Sequence, residues 1–497
     1  MRRLPVARAR GRTAAVPVAL LLGLLWVGSA CQTAPAPRAR RDPASPARDE
    51  AESPRGEAAS SDEERAAPAG DGETAIEPEA ATSPFEISGS IATSYRRRSR
   101  GSDHDNDLYG YLRLGGARAD GSGPSFHFYG RGTLDLDDDA GDSGSRFRSL
   151  NDLGGEALDG HVYEAWVELP TDALGLESVR IGRQTVHAAY TYLVDGARLR
   201  FAEIDGLARL RPSLFGGVPE YLYDSSRSGD WIVGLDLPFR PAERTRVELR
   251  YVHSEEGDTA TGGSETDDFT SVALFQGLGP DAQLSAEWNT IDGSTRDVAA
   301  RLHWDFPEPE LSLHAKWAYQ SSITKEFTTV YDSLVGVLGE SYAFHDISLE
   351  ATKLLGEHFA VNAGAALREL VDDDREGPFN REYRRAWVSV SSRRWLREDL
   401  ELSLTGEVWE TDDDRERSIG AEARWFPTEE LRITGGTYYS LYKYDLFEVR
   451  EREDVTTWFL KARYRTDGGL QLDGRCELEH GGEGDTLSLL AGLTWRF

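Results

Sequence analysis

From residue 85 onward, apolar side chains recur at every second position in short runs separated by turn residues. In 487–497, LSLLAGLTWRF, the apolar set Leu487, Leu489, Ala491, Leu493, Trp495 and Phe497 is interleaved with Ser488, Gly492, Thr494 and Arg496. Strand side chains point alternately to opposite faces, so this pattern predicts a strand with one apolar and one mostly polar face. Its length of eleven residues is enough to cross a bilayer when tilted. The same division runs through 298–306, where Ala300, Leu302, Trp304 and Phe306 oppose Arg301, His303 and Asp305. In 310–320, Leu311, Leu313, Ala315, Trp317 and Tyr319 oppose Ser312, His314 and Lys316. About 22 such segments follow one another, with slippage of about two expected in the weak region 178–201.

The connections carry a second regularity. Short ones, such as 278–281, 307–310, 355–358, 427–430 and 466–469, alternate with longer and more acidic ones, such as 137–160, 254–268, 371–383 and 441–455. Short turns at one end and long loops at the other are expected of a barrel that crosses an outer membrane, with its short turns in the periplasm. The predicted fold is therefore all-β, a single transmembrane antiparallel barrel of about 18–22 strands over 85–497. Charged side chains facing lipid at mid-depth cost a few kcal/mol, about 2–4 for Arg or Lys, so the polar face is assigned to the lumen. That face carries Arg301, His303, Asp305, His314, Lys316, Glu422, Arg424 and Arg463.

Termination on Phe497, with Trp495 two residues before it and apolar residues alternating upstream, resembles the assembly signal of bacterial outer-membrane barrels. The resemblance implies a bacterial outer-membrane location, lipid and lipopolysaccharide as surroundings, and the barrel assembly machinery as a partner. A second resemblance lies in 162–201, where VYEAWVEL is followed by R-x-G-R-Q and then D-G-x-R-L. This order is similar to the early strands of outer-membrane porins and of the alginate-export family. Arg180, Arg183, Gln184, Asp195 and Arg198 carry it here. It implies that Arg180, Arg183, Asp195 and Arg198 line the pore near a constriction, with an inward loop at 183–196 or 321–343. Porins are often trimers, which leaves an oligomer open; no interface can be read from this sequence.

Residues 1–30 combine five arginines and no acid with an apolar core at 18–27, ending Gly28-Ser29-Ala30. This reads as a secretory signal peptide. Cys31 is the residue that a lipoprotein signal, which the segment resembles, would acylate. Residues 31–84 are rich in Ala, Pro, Glu, Ser and Arg and cannot bury enough surface to fold, so a disordered periplasmic tail is expected. The net charge of −30 becomes −35 once the five leader arginines are removed, which argues against nucleic acid as a partner. No run of 18 apolar residues follows the leader, which excludes a helical membrane protein. Nineteen Tyr, eighteen Phe and twelve Trp suit aromatic girdles at the two interfaces.

The sequence holds only two cysteines and no H-E-x-x-H, P-loop, G-x-S-x-G or dinucleotide fingerprint. No enzymatic activity, cofactor or metal is therefore expected. His303, His314 and Ser312 meet on neighbouring strands but face inward, away from where a rim lipase would need them. The acidic runs 137–139 and 372–374 lack calcium-loop spacing. The function these features support is a passive channel for small hydrophilic solutes or ions through a charged lumen. The alternatives are polysaccharide export, for which the mixed lumen is insufficiently basic, and a scaffold barrel sheathing a periplasmic partner such as a multihaem cytochrome. No haem-attachment motif is present in the chain itself.

Overall fold

The computed structural model describes residues 85–137, 157–187, 191–220, 229–257, 264–322, 342–371, 382–411, 415–445, 450–482 and 484–497. The expected signal peptide, Cys31, the 31–84 tail and most of 321–343 lie outside these residues. Among the described residues the chain forms 22 strands. They are β1 (Phe85–Arg100), β2 (Asp103–Arg118), β3 (Ser125–Asp135), β4 (Leu158–Pro170), β5 (Leu176–His187), β6 (Thr191–Phe201), β7 (Ser213–Glu220) and β8 (Trp231–Ala242). There follow β9 (Thr245–Gly257), β10 (Ser264–Gly277), β11 (Ala282–Ile291), β12 (Ser294–Phe306), β13 (Leu311–Gln320), β14 (Phe344–Leu355) and β15 (Phe359–Leu370). The last are β16 (Tyr383–Arg393), β17 (Leu400–Glu410), β18 (Arg415–Trp425), β19 (Leu431–Asp445), β20 (Arg450–Arg465), β21 (Leu470–Gly481) and β22 (Gly484–Arg496).

Each strand pairs antiparallel with the next, and β1 pairs with β22, so the sheet closes on itself. The ladder at the seam is extended by Phe497, whose N–H donates to the Gly89 carbonyl at 3.1 Å, while Gly89 N–H donates to the Phe497 carbonyl at 2.9 Å. A side chain at Gly89 would press on the Arg113 carbonyl at 2.5 Å and on the Phe497 ring at 3.0 Å, so the position needs glycine. Closure leaves no edge strand unpaired, the condition for a sheet to cross a bilayer.

The registers sort alternate residues of each strand to opposite faces, with the parity shifting only at bulges such as that opposite Tyr129 and Gly130. One face collects the large exposed apolar side chains, among them Ile181, Leu214, Val233, Leu249, Trp288, Trp304, Trp317, Leu349, Val390, Leu404, Ile419 and Trp458. Such a surface exposed around the whole circumference is stable only against lipid, so this is the outer face, and the barrel belongs in the bacterial outer membrane. Aromatic residues gather at both of its ends. Toward the end that holds Phe85 and Phe497, Trp304 stacks on Phe306 at 4.7 Å, Phe359 meets Trp395 at 5.4 Å, and Trp495 meets Phe497 at 5.0 Å. Trp425 lies near the same end and its indole N–H donates to Asp399 in the adjoining turn. At the other end Trp231 donates to Glu255 at 2.7 Å and Trp288 to Thr295 at 3.1 Å. Apolar rings with one wet edge suit the two interfaces.

All ten connections at the Phe85 end are described, and most are short, as the sequence predicts. The exception is 202–212, even though ARLRP at 208–212 alternates like a strand. The chain instead makes an Ile204–Leu210 bridge with Ala208 and Arg209 in left-handed conformations, and β7 begins only at Ser213. Glu203 ties this connection down by accepting from Arg209 Nε at 2.7 Å and Arg211 Nε at 2.6 Å, and these guanidinium hydrogen bonds hold its carboxyl below the ordinary range. At the opposite end Asp292 and Gly293, both at positive φ, make the tight reversal that an Asp-Gly pair favours.

A row of inward glycines crosses three strands. Gly182 pairs with Gly196 and Gly196 with Gly217. A Cβ at Gly196 would lie 2.1 Å from the Gly216 carbonyl and 2.7 Å from Gly217 Cα, so the strands here approach closer than any side chain allows. Gly196→Val is expected to cost about 1–3 kcal/mol or more through forced backbone displacement. It would be measured as a lower urea midpoint in vesicles, with Gly110→Ala, where nothing lies within 4 Å, as the neutral comparison.

In the turn after β2, Asp120 accepts from the Ser122 hydroxyl at 2.7 Å and the Ser122 N–H at 2.9 Å, with Arg118 at 3.3 Å. These bonds, the Ser122 hydroxyl first, lower its pKa from the ordinary 3.8 to about 2. The turn contacts should therefore persist above pH about 4 and be lost as pH falls through about 2. Ser122→Ala should move the Asp120 midpoint upward in an NMR titration.

Candidate functional site: the inner wall of the barrel

The face opposite the apolar belt is an ion-pair lattice, because alternation forces every charged strand residue excluded from lipid onto the same concave surface. On β1 and β2, Arg96 pairs with Asp107 at 2.5 Å, and Arg98 pairs with Asp105 and lies 3.8 Å from Asp107. On β4 to β6, Arg180 pairs with Glu168 at 2.5 Å and stacks over Trp166 at 3.8 Å, and Arg200 reaches the same Glu168 at 3.2 Å. Arg198 contacts Ser213 at 3.1 Å and Asp236 at 3.6 Å. Farther round, Lys316 faces Asp346 at 3.6 Å, Arg385 pairs with Glu407 at 2.6 Å, and Arg424 bonds both Glu401 and Glu422 at 2.9 Å. Arg463 pairs with Asp473 at 2.6 Å.

The inner face thus carries Arg180, Arg198, Arg301, His303, Asp305, His314, Lys316, Glu422, Arg424 and Arg463, ten of the residues the sequence assigned there. Two do not join them. Arg183 and Asp195 are cross-strand partners on the parity of Val179, Ile181 and Leu199, so they face outward. There Arg183 makes two 2.7 Å hydrogen bonds to Asp195 and a 2.9 Å contact to Glu220. Full pairing is what makes this position tolerable: an unpaired charge on the lipid side would keep its whole desolvation cost. The physical reason for the correction is spacing, since Arg180 and Arg183 lie an odd number of residues apart. The same correction removes 183–196 as an inward loop. Its residues belong to β5 and β6, with 188–190 between them outside the described residues.

The inner wall has two different halves, a division the charge pattern did not announce. On β5 to β11 the inward positions toward the loop end are apolar and buried: Val186, Val194, Phe215, Ile232, Val252, Phe269 and Ile291, with Tyr192 edge-on to Phe269 at 5.8 Å. Phe269 has no exposed surface, although it faces the concave side. The interior is filled there. Between β14 and β18 the inward positions include small hydroxyls, Ser348, Thr352, Ser389, Ser391, Ser403 and Thr405, with bonds such as Ser389–Ser403 at 3.2 Å and Thr405 to Ser389 at 2.9 Å, beside the ion pairs Arg368–Asp346 and Arg385–Glu407 and the rings of Trp387 and Trp409. Exposure of the inward charges does not divide in the same way: Lys316 at 42%, Arg424 at 41% and Arg463 at 44% stand exposed, but so does Arg246 beside the apolar patch, whereas Asp346 and Glu407 within the hydroxyl stretch are largely buried by their pairing.

A cavity of about 590 Å³ opens at the Phe85 end, lined by Arg240, Arg244, Arg246, Phe275, Gln283, His303 and Asp305 among others.

No protein-family model matches the chain, and no curated protein matches it in sequence. Among solved structures it is similar to the siderophore receptor PirA from Pseudomonas aeruginosa, with a TM-score of 0.47 and 12% identity over 84% of this chain and 81% of that one. It is also similar to the outer membrane protein OpdK from the same organism, with a TM-score of 0.40 and 10% identity over 83% of this chain and 99% of that one. The P pilus usher (PapC) translocation pore gives 0.41 and 9%, covering 83% of this chain and 99% of that one.

Truncating the filled side should be far more costly than breaking an exposed pair. Phe269→Ala is expected to destabilise the barrel by about 3–5 kcal/mol, and Arg463→Ala by less than about 1 kcal/mol, both read from urea unfolding in vesicles of one lipid composition.

Proposed function

We propose that this barrel is a passive channel for small hydrophilic solutes or ions, and that the route through it follows the inner wall from β12 to β18 and passes the exposed Arg463 on β20. The observation that carries the reading is the contrast between the two halves. Apolar groups fill the interior along β5 to β11. Among the described residues the opposite stretch has no such apolar filling: it mixes small hydroxyls with ion pairs, the rings of Trp387 and Trp409, and the exposed Arg424. A wall of short polar side chains leaves room for a hydrated solute and can replace part of its hydration shell, while fixed charges of both signs set which ions are favoured. Arg301, His303, Asp305, His314, Lys316, Glu422, Arg424 and Arg463 would meet the solute. Arg180 and Arg198 belong to the paired lattice that supports the filled side.

The test is single-channel recording of the refolded protein in a planar bilayer under a salt gradient. Stable open steps are expected, with smaller unit conductance in Ser389→Trp, which puts a large ring into the small-hydroxyl wall. Arg424→Glu with Arg463→Glu should move the reversal potential toward cation preference. A barrel shown to be folded that never opens, or one whose conductance ignores Ser389→Trp, would sink the proposed route.

A further inference from the structure

Next to the cavity at the Phe85 end, two imidazoles meet across a strand pair with no opposite charge between them. His303 on β12 and His314 on β13 are direct cross-strand partners on the inner face. Their ring centroids are 4.3 Å apart, and His303 Nδ1 lies 3.0 Å from His314 Nε2 and 3.3 Å from His314 Nδ1. The other nitrogen of His303, Nε2, sits 2.7 Å from Asp305 Oδ2, and the remaining oxygen of Asp305 accepts from the Ser312 hydroxyl. An ionised carboxylate can only accept, so Nε2 carries the proton and Nδ1 presents its lone pair toward His314. A carboxylate that orients one imidazole while its second nitrogen faces another donor is the outer-shell arrangement found around histidine metal ligands.

We propose that His303 and His314 form a binding site for a first-row divalent transition-metal ion. The geometry fits: nitrogens 3.0 to 3.3 Å apart would subtend about 95–110° at an ion held at ~2.0–2.1 Å from each. The donor chemistry fits as well, since neutral imidazole suits copper(II), nickel(II) and zinc. Among the described residues, no three His, Cys, Asp or Glu side chains converge on one point, so the protein supplies two donors and water or a solute group supplies the others. His303 and Asp305 line the cavity, which gives those further donors access. The local charge is near balance. Arg301 and Lys316 flank the pair one row up, whereas Asp305 lies below it and Glu350 is the next cross-strand partner of His314. The linear sequence hides such a site, because its two ligands are eleven residues apart with no ligand motif between them.

The site does not depend on whether the barrel conducts. The full-length protein, folded in detergent, would be titrated with copper(II) alone at neutral pH and followed by electron paramagnetic resonance. The expected result is one high-affinity equivalent whose hyperfine pattern shows two nitrogen ligands. It should weaken on acidification, because a protonated imidazole cannot bind a metal ion. His303→Gln with His314→Gln should abolish that equivalent, with folding checked by strand content. Asp305→Asn leaves both ligands in place and should weaken binding by about 10–100-fold. An unchanged equivalent in the double variant, or no two-nitrogen signal in the unaltered protein, overturns the site.

Discussion

Everything in this structure depends on one requirement of the hydrocarbon phase: no backbone N–H or C=O may be left without a partner. A helix meets it within itself; a sheet meets it only by closing. The 22 strands are therefore a consequence of closure as much as of sequence, and the β1–β22 ladder with its Gly89–Phe497 extension is where the condition is met. Once the sheet is closed it has only a lipid side and an enclosed side, and two-residue periodicity sorts each strand between them. The ion-pair lattice on the concave wall follows directly, because charges denied to lipid have nowhere else to go.

The enclosed side is not uniform, and its two kinds of wall do different work. Along β5 to β11 apolar side chains fill the interior and behave as an ordinary protein core. The glycine row Gly182, Gly196 and Gly217 lies next to that core and lets the strands close in on each other. Along β14 to β18 the lining mixes short hydroxyls with ion pairs and two tryptophan rings. A large barrel need not be a large hole, because the lumen that remains is set by side-chain volume on one arc of the wall.

Most of the architecture was legible in the alternation. All 22 strands fall on segments whose apolar residues recur at every second position, and the aromatic termini of the strands mark the two interfaces. What misled was a local resemblance read over parity. R-x-G-R-Q places Arg180 and Arg183 on opposite faces by counting alone, and D-G-x-R-L does the same for Asp195 and Arg198. The 208–212 segment failed for a different reason: ARLRP alternates like a strand, but positive φ at Ala208 and Arg209 and the clasp on Glu203 turn it into a connection. The apolar interior patch could have been found, since Val186, Val194, Phe215, Ile232, Val252 and Phe269 lie at the parity given to the lumen. Its burial could not, because that depends on how the closed wall curves. The His303–His314 contact was visible as a cross-strand pair, but the orientation of the rings and the carboxylate behind them are matters of geometry.

The seam has a kinetic meaning too. Gly89 and Phe497 are 408 residues apart in the chain (497 minus 89), and joining the ends of a free chain of that length would cost about 5 kcal/mol in loop entropy. Every other strand neighbour in the barrel is also a neighbour in sequence, so the sheet can grow as successive hairpins, each adding a local contact. The pre-curved sheet then brings its two free edges together, and the long-range loop entropy has been spent in small instalments before the seam forms. In that order of growth the closing ladder comes last, and an open sheet exposes two edges of unpaired backbone that can template the wrong partner.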